Sequence, residues 1–167
     1  PVSNDIPVIP KIQHQALEIE KEENSLSILS WNIKMHPPPY GWLYNSIDKA
    51  ENIIKTLKES SKYDVILFQE AFSYKIRNKI YNSLKDLYPH QIDIKDETDF
   101  YKMNSGLWVI SSIPITLIDN INFTELRHND WLSSKGAYLY SVIKSQQEFY
   151  IINTHMQADY RTKYSDI

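Results

Sequence analysis

The sequence predicts a layered α+β sandwich built on a mixed sheet, and three observations carry that prediction. Apolar runs of strand length end on polar side chains at Leu26–Asn32, Val65–Glu70 and Phe149–His155. Two stretches with helical spacing alternate with the first of these strands, and beyond Pro89 the helical period gives way to a succession of strands. No glycine-rich loop follows the first strand, which argues against a dinucleotide or Walker-type site and the doubly wound fold that carries one.

Residues 1–24 hold Pro1, Pro7 and Pro10, then the charged cluster Glu18, Glu20, Lys21, Glu22 and Glu23, and read as a leader or linker. Leu26–Ile33 is the first expected strand. Pro37, Pro38 and Pro39 forbid helix and sheet pairing, so His36–Gly41 is a stiff loop. With Tyr40, Trp42 and Leu43 it offers either an aromatic lip for a lipid or ring substrate or ordinary packing on the core. Ser46–Ser60 reads as a helix capped by Asn45 or Ser46, with Ile47, Ala50, Ile54 and Leu57 at helical spacing. Val65–Glu70 is apolar on both faces, as in a sheet covered on both sides. Ser73–Tyr88 is a second helix, with Ile76, Ile80, Leu84 and Leu87 on one face and Pro89 marking its end. Strands are expected over Gln91–Ile94, Leu107–Ile115, Leu117–Phe123, Ala137–Lys144 and Phe149–His155, and Asp159–Ile167 begins as a helix.

Composition narrows the class. At 167 residues and 42% hydrophobic content the chain can bury a substantial core. Its 18 basic and 21 acidic residues give a net charge of −3, so no stable nucleic-acid partner is expected. The absence of cysteine excludes disulfides, thiolate metal sites and cysteine nucleophiles. No apolar stretch reaches the roughly 20 residues of a transmembrane helix. A start at Pro1 instead of Met suggests a processed secretory precursor or a trimmed chain, and with it a secreted or extracytoplasmic location.

The strand endings are the candidate site. An ionised Glu70 at the rim of a buried strand either meets a hard cation such as Mg²⁺ or points into solvent. Asn32 either supplies a carboxamide to metal or phosphate or turns the chain into the proline loop. His155 shares strand parity with Phe149, Ile151 and Asn153; it is either a donor to a developing oxyanion or a core histidine bonded to backbone. Lys135 beside Gly136 brings a cation and an open backbone to an anion, or simply approaches a hairpin.

The runs SILSWNIKM, YDVILFQEAF, SGLWVISSIPI, DWLSSKGAYLYSVI and IINTHMQADY resemble, in order and spacing, the endonuclease/exonuclease/phosphatase superfamily, which includes deoxyribonuclease I-like nucleases and bacterial neutral sphingomyelinases. The first two blocks are shared across the superfamily, whereas THMQAD at 154–159, DWLSSKG at 130–136 and the Tyr88–Pro89 pair are similar to its sphingomyelinase branch. The likeness covers roughly Ser25 to Tyr160 and implies a four-layer α/β/β/α sandwich, incomplete in this chain, with residues 25–167 forming the N-terminal part of the domain. It implies Glu70 as the principal ligand of Mg²⁺, or of another divalent cation such as Mn²⁺ or Co²⁺. It further implies Asn32 beside Glu70 on metal or phosphate, His155 on the phosphoryl oxygens, and Lys135 adjacent to the substrate.

The implied reaction is in-line attack of water on a phosphodiester. For the sphingomyelinase branch the substrate is a phospholipid at a membrane surface, sphingomyelin, cleaved to ceramide and phosphocholine. A nuclease or phosphoinositide phosphatase of the same fold is the alternative, and a non-catalytic binding module on that scaffold is a third reading. The resemblance also implies an Asp and Asn pair, then an Asp and His pair whose His is the general base. Neither pair occurs before Ile167, so this stretch is expected to be inactive alone and to leave apolar strand faces uncovered.

Overall fold

A computed structural model describes residues 24–35, 46–60, 62–94, 104–123 and 135–156. Most of the leader, the proline loop with its aromatic residues, Asp130–Ser134 and Asp159–Ile167 lie outside the described residues.

Two sheets stack face to face. The first contains β1 (Ile28–Met35), β2 (Val65–Ala71), β4 (Trp108–Ser111) and β3 (His90–Ile92) in the order β1-β2-β4-β3; the second contains β5 (Ile115–Asn122), β6 (Gly136–Lys144) and β7 (Gln147–Thr154) in chain order. β1 runs parallel to β2, with α1 (Ser46–Glu59) between them in the chain, while β4 is antiparallel to both β2 and β3. The second sheet is wholly antiparallel.

Alternation along β2 explains how one strand serves two cores. Ile66 and Phe68 point to α1 and α2 (Tyr74–Leu84), joining Ala50, Ile53, Leu57, Ile80 and Trp108. Val65 and Leu67 point the other way and meet Tyr140, Val142 and Ile151 of the second sheet. Phe68 and Trp108 stack with centroids 4.7 Å apart, which anchors the helix-side core. Three layers of the expected α/β/β/α sandwich are therefore present. Among the described residues no helix covers the outer face of the second sheet, where Ile121, Ile143, Tyr150 and Ile152 are all more than 60% exposed.

Several boundaries differ from the sequence reading, each for a local reason. β1 starts at Ile28 and not Leu26, because Asp64 Oδ2 accepts Ser27 N and Ser27 O accepts the amides of Asp64 and Val65 before the ladder begins. It continues to Met35, which pairs with Ala71 beyond an irregularity after Asn32. On α1 the inward residues are Ala50, Ile53 and Leu57; Ile47 is 54% exposed and Ile54 only partly buried. α2 ends at Leu84 and not Tyr88, as the amides of Leu87 and Tyr88 both turn back to Leu84 O. β3 is His90–Ile92, shorter than expected and shifted by one residue. The stretch read as one strand over Leu107–Ile115 is cut between sheets: Ser111 Oγ and Ser112 N both donate to Asp64 O, and Pro114 has no N–H to continue a ladder.

A partly buried ion pair closes this end of the sandwich. Lys144 Nζ on β6 lies 2.7 Å from Asp64 Oδ2 and also donates to Ser25 O at 2.7 Å, joining the second sheet to the start of β1 and β2. Removing one partner strands the other charge. Lys144→Met is expected to destabilise the fold by about 2 kcal/mol in urea unfolding, and an unchanged midpoint would show that the pair contributes nothing.

Candidate functional site

The three strand endings named in the sequence meet at one rim. Asn32 Nδ2 donates to Glu70 Oε1 at 2.7 Å, and His155 Nε2 lies 3.6 Å from the same oxygen. The side chains of Glu70 and His155 are 17% and 15% exposed, open enough for a ligand and sheltered enough to matter electrostatically. Residues 38 and 85 positions apart from Glu70 thus converge on its carboxylate.

Local backbone geometry makes the convergence work. By strand parity Glu70 would follow Ile66 and Phe68 toward the helices, but its φ of 55° is left-handed, and the carboxylate instead meets Asn32 and His155 on the side of the second sheet. Gly106 fits tightly under this turn: its carbonyl accepts Ala71 N at 3.0 Å, and a Cβ there would sit 3.1 Å from Glu70 Cα and 2.8 Å from the Phe72 ring. Its own φ of 68° further favours glycine. Asn32 is fixed by the backbone that follows it, because Lys34 N donates to Asn32 Oδ1 at 3.1 Å and so turns the amide nitrogen toward Glu70.

His155 is set by the second sheet. Its amide donates to Gly136 O at 3.1 Å, Thr154 Oγ1 donates to the same carbonyl, and the Phe72 ring lies 6.4 Å from the imidazole. Lys135 is buried, and its Nζ donates to Met156 O at 3.1 Å, so its ammonium grips the backbone just past His155. Gly136 has a steric reason to be glycine: a Cβ there would run into Ile121 O on β5.

One polar bridge between the sheets went unread in the sequence. Gln69 continues the parity of Val65 and Leu67, and its Nε2 donates to Asn153 Oδ1 at 2.7 Å and to Ser30 Oγ at 3.2 Å; Asn153, 1% exposed, donates back to Phe68 O. A bridge one residue before Glu70 and two before His155 fixes their separation. Its signal was a Gln and an Asn at inward positions of strands otherwise apolar on that side.

The Glu70 carboxylate supplies the kind of oxygen donor that a hard cation takes. Among the described residues no group of three or more His, Cys, Asp or Glu side chains gathers into a cage. Mg²⁺ keeps several waters and takes one or two protein carboxylates with substrate phosphates, so a single carboxylate beside a carboxamide fits it without a cage.

No family model matches the chain. It is 28% identical over 172 residues to Sphingomyelinase C 2 of Leptospira interrogans, a match covering 93% of this chain and 26% of that protein. Its structure resembles a beta toxin mutant from Staphylococcus aureus with bound magnesium ions, at a TM-score of 0.68 and 23% identity over 84% of this chain and 53% of the other. It also resembles an endonuclease/exonuclease/phosphatase family protein from Leptotrichia buccalis, at a TM-score of 0.55 and 18% identity over 80% and 54% of the two chains. The chain spans 26% to 32% of the length of the curated sphingomyelinases it matches. The chain shares the fold of these solved structures, and its sequence likeness is to proteins named sphingomyelinases.

Proposed function

We propose that the intact protein is a metal-dependent phosphodiesterase that hydrolyses sphingomyelin to ceramide and phosphocholine at a membrane surface outside the cytoplasm. The observation that carries the reading is the meeting of Asn32, Glu70 and His155 at one rim, from three separate strands. The sphingomyelinase names of its relatives support the choice of substrate.

In this reading Glu70 holds Mg²⁺, Mn²⁺ or Co²⁺, with Asn32 beside it orienting the carboxylate and contacting metal or phosphate. A divalent cation there supplies Lewis-acid neutralisation of phosphoryl charge. His155 donates from Nε2 to a phosphoryl oxygen as charge develops during in-line attack of water. Lys135 serves the substrate side by fixing the backbone after His155 and adding positive potential near the anion.

The test is turnover by the intact protein on three substrates, with chelator and with cation restored. Phosphocholine release from sphingomyelin vesicles that stops on chelation and returns with Mg²⁺ is the expected result. Plasmid nicking or phosphate release from phosphoinositides, without phosphocholine, would overturn the substrate assignment. No turnover together with no cation binding would leave the scaffold as a binding module.

A further inference from the structure

Arg77 lies where an apolar residue belongs. It sits three residues before Ile80 and seven before Leu84, on the buried stripe of α2, and its side chain is only 2% exposed. A buried cation is costly unless its donors are matched by acceptors. Nε donates to Asp93 Oδ1 at 2.7 Å, while Nη1 donates to two successive carbonyls, Ala71 O at 2.8 Å and Phe72 O at 2.9 Å. These belong to the first two residues after Glu70.

The same short loop is stitched from its other side. Ala71 N donates to Gly106 O at 3.0 Å, and Asn104 Nδ2 donates to Phe72 O at 3.0 Å while Asn104 Oδ1 accepts Gly106 N. Left-handed φ at a residue with a side chain is unfavourable and persists only when its surroundings enforce it. Glu70 is held there at φ 55°, and that turn brings its carboxylate to Asn32 and His155.

We propose that Arg77 is a positioning residue for Glu70: its guanidinium clamps the carbonyls of Ala71 and Phe72 and so maintains the left-handed turn that aims the carboxylate across the sheet. The inference rests on the reading of Glu70 as a metal ligand. Nε takes Asp93 while Nη1 takes both carbonyls, and lysine has one nitrogen where this arrangement uses two at fixed separation.

The experiment measures two quantities in the intact protein. One is Mn²⁺ affinity; the other is hydrogen exchange of the Ala71 amide in the cation-free state. For Arg77→Lys, Mn²⁺ binding is expected to weaken about tenfold and Ala71 exchange to accelerate, and Asp93→Asn should move both in the same direction by less. Lys144→Met, at the far clamp, is the control: it lowers the melting temperature and leaves Mn²⁺ affinity at the parent value. If R77K and D93N lower the melting temperature as K144M does but keep parent affinity and parent Ala71 exchange, Arg77 is structural only and the proposal is wrong. D93N decides alone if R77K does not fold. Parent protein that binds no Mn²⁺, or E70Q that binds it undiminished, would instead overturn the metal reading, and the Ala71 exchange of R77K would still report whether Arg77 holds the turn.

Discussion

Glu70→Gln is expected to abolish measurable Mg²⁺ binding and to lower phosphodiesterase turnover about a thousandfold, equivalent to about 4 kcal/mol of transition-state stabilisation. The substitution keeps the size of the side chain and removes its charge. Because a water-rich cation depends on very few protein carboxylates, losing one removes most of the electrostatic attraction. The amide also disturbs its neighbours: Asn32 Nδ2 donates to Oε1 at 2.7 Å, and a glutamine that presents its nitrogen there opposes donor with donor. Calorimetric Mg²⁺ titration and initial rates on sphingomyelin vesicles measure the two effects separately. Parent-like turnover in E70Q would remove Glu70 from the metal site.

His155→Ala is expected to reduce kcat by about 10²–10³-fold, the range for removing one donor to a developing oxyanion, with Mg²⁺ affinity within about threefold of the parent. The asymmetry follows from geometry. At 3.6 Å from Glu70 Oε1 the imidazole neighbours the ligand but is not needed to create its negative charge. Its backbone is held by Gly136 O and, one residue on, by Lys135, so the truncation should remove the ring without moving the strand end. H155A combined with E70Q should cost less than the sum of the two, since neighbouring groups in one site are not independent. Equal loss of kcat and of Mg²⁺ affinity in H155A would mean that the histidine holds metal instead of contacting phosphate.

Elements were legible where a single segment carried its own pattern. β2 announced itself through four successive buried residues with both faces apolar, and α2 through Ile76, Ile80 and Leu84. Asn32, Glu70 and His155 were legible because polar residues at the ends of apolar runs have few places to go. What escaped were features set by a partner distant in the chain. Ile53 displaced Ile54 as the inward residue of α1 because helix rotation is fixed by the sheet beneath. The run through Pro114 was divided between two sheets by hydrogen bonds to Asp64 O, a residue 47 positions earlier than Ser111. Arg77 passed unnoticed, although an arginine on an apolar helical stripe is itself a sign of a buried anion or carbonyl cluster.

By itself the sequence determined which residues could form the site and which layers would bury them, because hydrophobic periodicity and strand-end chemistry are local properties. Only the tertiary structure decided that Asn32, Glu70 and His155 meet. The left-handed turn at Glu70 reverses the direction that strand parity dictates, and the Gln69–Asn153 bridge fixes the two sheets in register. The bridge and the packing of Gly106 under the turn join segments 30 or more residues apart, where the free energy of packing outweighs local preference and no pattern within one segment records the pairing.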